Sequence, residues 1–329
     1  MIELIKKFVE TKSVSGDEGT LANRIKDEIK NYVDEITTDQ LGSLIAVKRS
    51  GSANAKKLSF SANMDEPGFV ATFIEENGHI RVSNLGTLNY SSLAFSTVTF
   101  ANGVKGVVVP TADIDKEFTA AKLYVDIGAK TKEESSAAIA IGDSIGFDSA
   151  MTVLRNDKLT AFGIGVKVGC AVLVEAIKQI ANSPCDLYFI FTVQKQLGMR
   201  GSKAAFGSVL PEYAFVIDTT SATPPFHGNT PVACGKGPVI RKKDGGAIYS
   251  PEAVKVLCSI LERTAVPFQV EVLEKAQNDA QSAKAAGGGT LVGCVALPVE
   301  NQLTNSEVIE LNDIINCVEL IKLTAIEEL

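Results

Sequence analysis

The spacing of apolar residues changes twice along the chain, and each change marks a change of architecture. Ile2, Ile5, Phe8 and Val9 fall on one helical face, and residues 18–34 keep the same period. A short strand-like stretch at 44–48 precedes LSFSANMD at 58–65, an apolar run ending in polar side chains, which predicts a buried strand feeding a site-like end. From about 69 to 156 the pattern shortens into alternating segments separated by glycine, among them FVATFIEENGHIRV, STVTFANGVKGVVV and AIAIGDSIGF. Such spacing predicts a small β-barrel or sandwich. From 168 onward helix and strand alternate: helix 168–182, strand DLYFIFTVQ, helix near 200–209, strand YAFVID, helix 251–265, strand FQVEVL, helix 279–286, strand TLVGCVALP and a long final helix 306–328. Alternation of that kind predicts a mostly parallel sheet covered on both faces. The expected organisation is an α/β domain made of 1–66 and 157–329, interrupted by a β-barrel insert at 67–156.

Composition narrows the class without naming a function. The 329 residues suffice for a large core, and 45% hydrophobic with 22% charged residues is ordinary globular usage. A net charge of −7 disfavours a phosphate backbone or an anionic membrane as the main partner. Cysteines at 170, 185, 234, 258, 294 and 317 form no C-x-x-C pair and sit mostly in apolar runs, so they read as buried thiols. The opening MIELIKKFVETK carries Glu3 and is neither the charged nor the apolar region of a signal peptide, and no run approaches 18 apolar residues. A cytoplasmic location is the expectation.

Short motifs are weak here. GDSIG at 142–146 fits G-x-S-x-G, yet both flanks read as strand and the chain has only His79 and His227, so a turn serine is the better reading. GIGVKVG at 163–169 is a loosened dinucleotide fingerprint, but KLTAF before it is a poor core strand and the next strand ends in Gln194-Lys195-Gln196, where a ribose-binding acid would stand. GKGP at 235–238 reads as a turn. His79 falls in the hairpin turn ENGHI, and His227 follows Pro224-Pro225 in a loop.

The order of several longer segments carries more weight. SVSGDE at 13–18, DQLGSL at 39–44, SANMDEPGF from 61, LYVDIGAKTKEES, TVQKQLGMRGS, VIDTT, GKGPVIR and NDA at 278–280 resemble, in register, the co-catalytic metallo-aminopeptidases of metallopeptidase family forty-two, which comprises glutamyl aminopeptidase, the tetrahedral aminopeptidases and the cellulase-M proteins. The resemblance implies a phosphorylase/hydrolase-like peptidase domain with a mixed, mostly parallel sheet and an inserted β-barrel that mediates dimers and shells. It also implies two divalent metals, zinc or cobalt, whose ligands carry over position by position. Asn63 stands where the first metal histidine belongs, and Gly165 where the bridging aspartate does, with Lys167 in place of an arginine. Lys195 occupies the general-base glutamate, Gln196 the following glutamate ligand, and Leu303 the last histidine. Asp218 alone matches its ligand. Asp65 and Glu66 are kept, and the counterpart of Asp65 supports the missing histidine.

Glycine and leucine offer no side-chain donor, and amide oxygens are poor ligands for zinc or cobalt. A charged lysine cannot accept a proton from a metal-bound water. The expectation is therefore a family homologue without bound cofactor or peptidase activity, acting as a binding or assembly subunit. It would form a homo-oligomer, or a hetero-oligomer with active paralogues, with a peptide as a conceivable ligand and neither nucleic acid nor membrane as partner. The alternative is a metal-dependent aminopeptidase using atypical ligands. Lys195 is further expected to pair with Asp218 or Asp65, supplying the positive charge a metal would bring.

Overall fold

The computed structural model describes residues 1–111, 119–222 and 232–329. An eight-stranded sheet forms the centre, in the order Glu35–Thr38, Leu44–Lys48, Asp186–Thr192, Lys57–Asn63, Tyr213–Ser221, Leu291–Val299, Val239–Lys243 and Gln269–Val272. Four central strands, from Asp186–Thr192 to Leu291–Val299, run parallel. They are continuous apolar runs because both faces are covered, which removes any need for alternation. Helices Ile2–Val9, Gly19–Ile29, Ile164–Gln179, Pro251–Thr264 and Leu311–Ala325 build the larger core on Phe60, Phe189, Phe215 and Ile217. Arg200–Val209 and Ala280–Lys284 close the other face around Phe206, Val216 and Val292.

Between these sheet strands lies a closed barrel of Gly68–Ile74, Ile80–Leu85, Leu123–Asp126, Lys105–Pro110, Thr97–Phe100 and Ser144–Phe147. Its interior is a separate core that includes Phe69, Val98, Phe100, Ile145 and Phe147. A third, small sheet pairs Thr152–Val153 with Lys158–Ala161 and that strand with Glu307–Glu310, all antiparallel. It ties the exit of the barrel to the C-terminal segment.

Several boundaries differ from the sequence reading for identifiable reasons. The second helix stops at Ile29, short of the expected 34, and Glu35–Thr38 after it forms an edge strand. The helix expected at 168–182 runs Ile164–Gln179, so GIGVKVG is its first two turns, entered from Gly163 in the left-handed region at φ 66°. KLTAF does form a strand, in the small antiparallel sheet and not the parallel core. The final helix begins at Leu311, because β-branched Val308 and Ile309 pair with Thr160 and Leu159 before the chain turns helical.

Candidate functional site

The carboxyl ends of three parallel strands meet at one cleft, where open α/β sheets place ligands. Asn63 and Thr192 are paired at the ends of their strands, and Asp218 lies two residues beyond the last paired position Val216↔Ser61, hence level with Asn63. The N-terminus of helix Ile164–Gln179 and the loop around Leu303 complete the walls, and Thr87 and Pro67 reach in from the barrel side. The cleft has a volume of about 510 Å³.

At its base the Lys195 ammonium donates to Asp218 Oδ1 at 2.6 Å and to Asn63 Oδ1 at 3.3 Å. Arg241 reaches the same carboxylate from the neighbouring side, its Nη1 donating to Asp218 Oδ2 at 2.8 Å, while its Nε lies 3.3 Å from Glu271 Oε2. Thr220 donates to Glu271 at 2.7 Å, and Asn278 Nδ2 lies 3.2 Å from Asp218 Oδ2. Arg241 is 1% exposed and Asp218 9%, so water screens this cluster little. Burial opposes the charge on Asp218, but Lys195 and Arg241 outweigh it and hold the carboxyl well below its ordinary range. Burial likewise opposes the Lys195 charge, and Asp218, Asp279 and Asp65 together hold that ammonium above its usual value.

The loop carrying Lys195 is fixed by two carboxylates. Asp65, fully buried, accepts from the backbone amides of Lys195 at 2.9 Å and Gln196 at 2.8 Å. Glu18 accepts from Gln194 N at 2.9 Å, and Gln194 takes φ 53° in the left-handed region. Burial pushes the Glu18 carboxyl up to about 7. Asp65 therefore acts on the loop through its carboxylate, whereas Asn63 is held by the Asp65 carbonyl at 3.0 Å. Lys167 is fully buried away from this cluster, 3.1 Å from Glu66 Oε2 and bonded to Ser13.

Gly165 and Leu303 meet around a different acid. Glu307 accepts from Gly165 N at 3.0 Å and from Leu303 N at 2.9 Å. A Cβ on Gly165 would stand 3.2 Å from Glu307 Oε2 and 3.4 Å from Thr219 Cγ2, so the space beside this glycine is already filled. Gln196 packs beneath Gly86, whose Cβ would come within 2.8 Å of it. Asn63, Gly165, Lys195, Gln196, Asp218 and Leu303 all line the one cleft, while Asp65 lies behind it. Among the described residues no group of three or more His, Cys, Asp and Glu side chains is arranged to hold a metal ion.

The remaining motifs fall outside the cleft. Ser144 donates to Asp17 at 2.8 Å, and His79 stacks on Tyr124 with centroids 4.0 Å apart. The amides of Gly235 and Gly237 in GKGP both donate to Asp313, at 2.7 and 2.8 Å, so a carboxylate fills that turn. His227 lies outside the described residues. Arg241, Glu271 and Glu307 were not singled out by sequence. For Arg241 the available signal was a charge directly after the apolar pair Val239-Ile240, in the strand Val239–Lys243.

An α/β sheet interrupted by a closed barrel, with a cleft at the ends of its parallel strands, defines an aminopeptidase-class fold. The chain belongs to the M42 glutamyl aminopeptidase family, whose model matches residues 42–320. A relative in Acetivibrio thermocellus, named as an aminopeptidase, is 37% identical over 98% of this chain and 97% of its own. An aminopeptidase from the archaeon Desulfurococcus kamchatkensis superposes with a TM-score of 0.94 at 28% identity, over 99% of this chain and 94% of that one. The TET1 peptidase of Pyrococcus horikoshii, described as assembling into a tetrahedron or a large octahedral shell, is 30% identical with a TM-score of 0.89 over 99% of both chains. No helix of the described residues is long and apolar enough to cross a membrane.

Proposed function

We propose that this chain keeps the aminopeptidase fold without the metal-dependent peptidase chemistry, and serves as a non-hydrolytic binding or assembly subunit. The observation that carries the proposal is the Lys195 ammonium, 2.6 Å from Asp218 Oδ1 and 3.3 Å from Asn63 Oδ1. It bridges two positions that the family resemblance assigns to metal ligands.

The donor set supports the same reading. Of five ligand positions, two are apolar, two are neutral amides, and Asp218 has its charge matched by two cations. These residues do not fit a pair of divalent ions. The base position fails independently, since an ammonium held protonated cannot accept a proton from water.

Hydrolysis of aminoacyl chromogenic substrates in added zinc, cobalt or manganese tests the proposal, and no metal-dependent turnover is expected. Activity abolished by a chelator and by Asp218→Ala would overturn it in favour of atypical ligation. Self-association is part of the proposal. The archaeal relative that forms shells is matched over 99% of its length, and the barrel of this chain exposes Phe73 at 55% and Phe95 at 66%.

A further inference from the structure

Every oxygen of the carboxylates lining the cleft already accepts a hydrogen bond. Asp218 is shared by Lys195 and Arg241, and Glu271 is held by Arg241 and Thr220. Glu307 has no cation partner among the described residues, but each of its oxygens takes a backbone amide, and burial holds its carboxyl above its ordinary value and so favours the neutral form. A free α-ammonium entering this cleft meets no carboxylate oxygen without a donor, and it meets the Lys195 ammonium at the base. Desolvating a charge without a partner is unfavourable, and a like charge nearby adds to the cost.

What the cleft offers instead are hydrogen-bond donors. Two of the three Lys195 N–H groups go to Asp218 and Asn63, leaving one unclaimed. The Gln196 side chain lines the cleft with no hydrogen-bond partner among the described residues. The lining also includes the apolar side chains of Phe162, Val166, Ile217 and Leu303. Leucine at 303 supplies hydrocarbon in place of an imidazole. A cleft of about 510 Å³ is within the range that encloses a small ligand.

We infer that the cleft binds peptides or amino-acid derivatives whose amino end is acylated, with the acyl carbonyl accepting from Lys195 and Gln196 and the acyl or side chain against these apolar side chains. This selectivity rests on the reading of the cleft as a non-hydrolytic binding site. It reverses the requirement for a free amino terminus that defines an aminopeptidase substrate.

Calorimetric titration of the full chain with N-acetyl-leucinamide and with leucinamide tests it, because the two probes share a side chain and differ in the blocked amine. The acetylated probe should bind at least about tenfold more tightly, and Lys195→Met should narrow the gap by removing the like charge. Gln196→Leu leaves the ion pair intact and should weaken the acetylated probe about tenfold without improving leucinamide. Equal binding of the two probes, preference for leucinamide, or no binding of either by metal-free protein overturns the inference and leaves the non-hydrolytic reading standing. Leucinamide bound and hydrolysed at a chelator-sensitive rate overturns both.

Discussion

Lys195 is the residue on which the chemistry of the cleft turns. Its ammonium is one of two cations on a single buried carboxylate, so its removal leaves Asp218 with Arg241 alone. Stripping one partner from a buried pair costs roughly 3–5 kcal/mol when the other charge is stranded, and the remaining guanidinium reduces that here. Lys195→Met should therefore lower stability by about 1–3 kcal/mol at neutral pH. The pH dependence follows from the depressed Asp218 carboxyl. Its contribution is present above the ordinary aspartate range and lost as pH falls through the lower folded value. The Lys195 ammonium, held above its usual value, stays charged through the neutral and acid range. Urea unfolding should show a wild-type advantage constant from neutral pH down to about pH 4 and shrinking below it. Equal stability of the two proteins at neutral pH would mean that the ion pair contributes nothing net.

At the scale of elements, buried acids fasten turns to the helices and strands around them. Asp313, fully buried in the first turn of the last helix, accepts from Gly235 and Gly237 and so fastens the GKGP turn to that helix. Asp313→Ala strands two amides in a part-buried site and should cost about 2 kcal/mol in chemical denaturation. The alternation of helix and strand from 168 onward was legible because each element carries its own period. Boundaries set by distant partners were not. Glu307 to Glu310 becomes a strand because Lys158–Ala161 lies beside it, and its β-branched Val308 and Ile309 do not by themselves separate it from a helix that also carries Ile314, Ile315 and Val318. The Lys195–Asp218 pair was legible from the family resemblance, which brings residues 195 and 218 to one cleft, although Lys195 lies three residues beyond Asp186–Thr192 and Asp218 inside Tyr213–Ser221. Arg241 was hidden, since its reach to Asp218 depends on strand Val239–Lys243 lying antiparallel to Leu291–Val299.

For the whole molecule, the barrel and the sheet divide the labour. The sheet supplies the floor and base of the cleft, and the barrel side adds Pro67 and Thr87 and packs Gly86 against Gln196. The barrel segment exposes Phe73, Phe95, Val107 and Ile141. Exposed apolar side chains on one module favour self-association there. Sedimentation at micromolar concentration should find an oligomer, and Phe73→Lys combined with Phe95→Lys should dissociate it without lowering the unfolding temperature of the core. A wild-type monomer would remove the assembly role.

Elemental analysis of the purified full chain, after incubation with zinc and removal of excess, should return no stoichiometric metal, because a lysine ammonium and two amides stand where imidazole and carboxylates would be needed. One or two ions retained per chain, and lost in Asp218→Ala, would contradict the loss of metal binding.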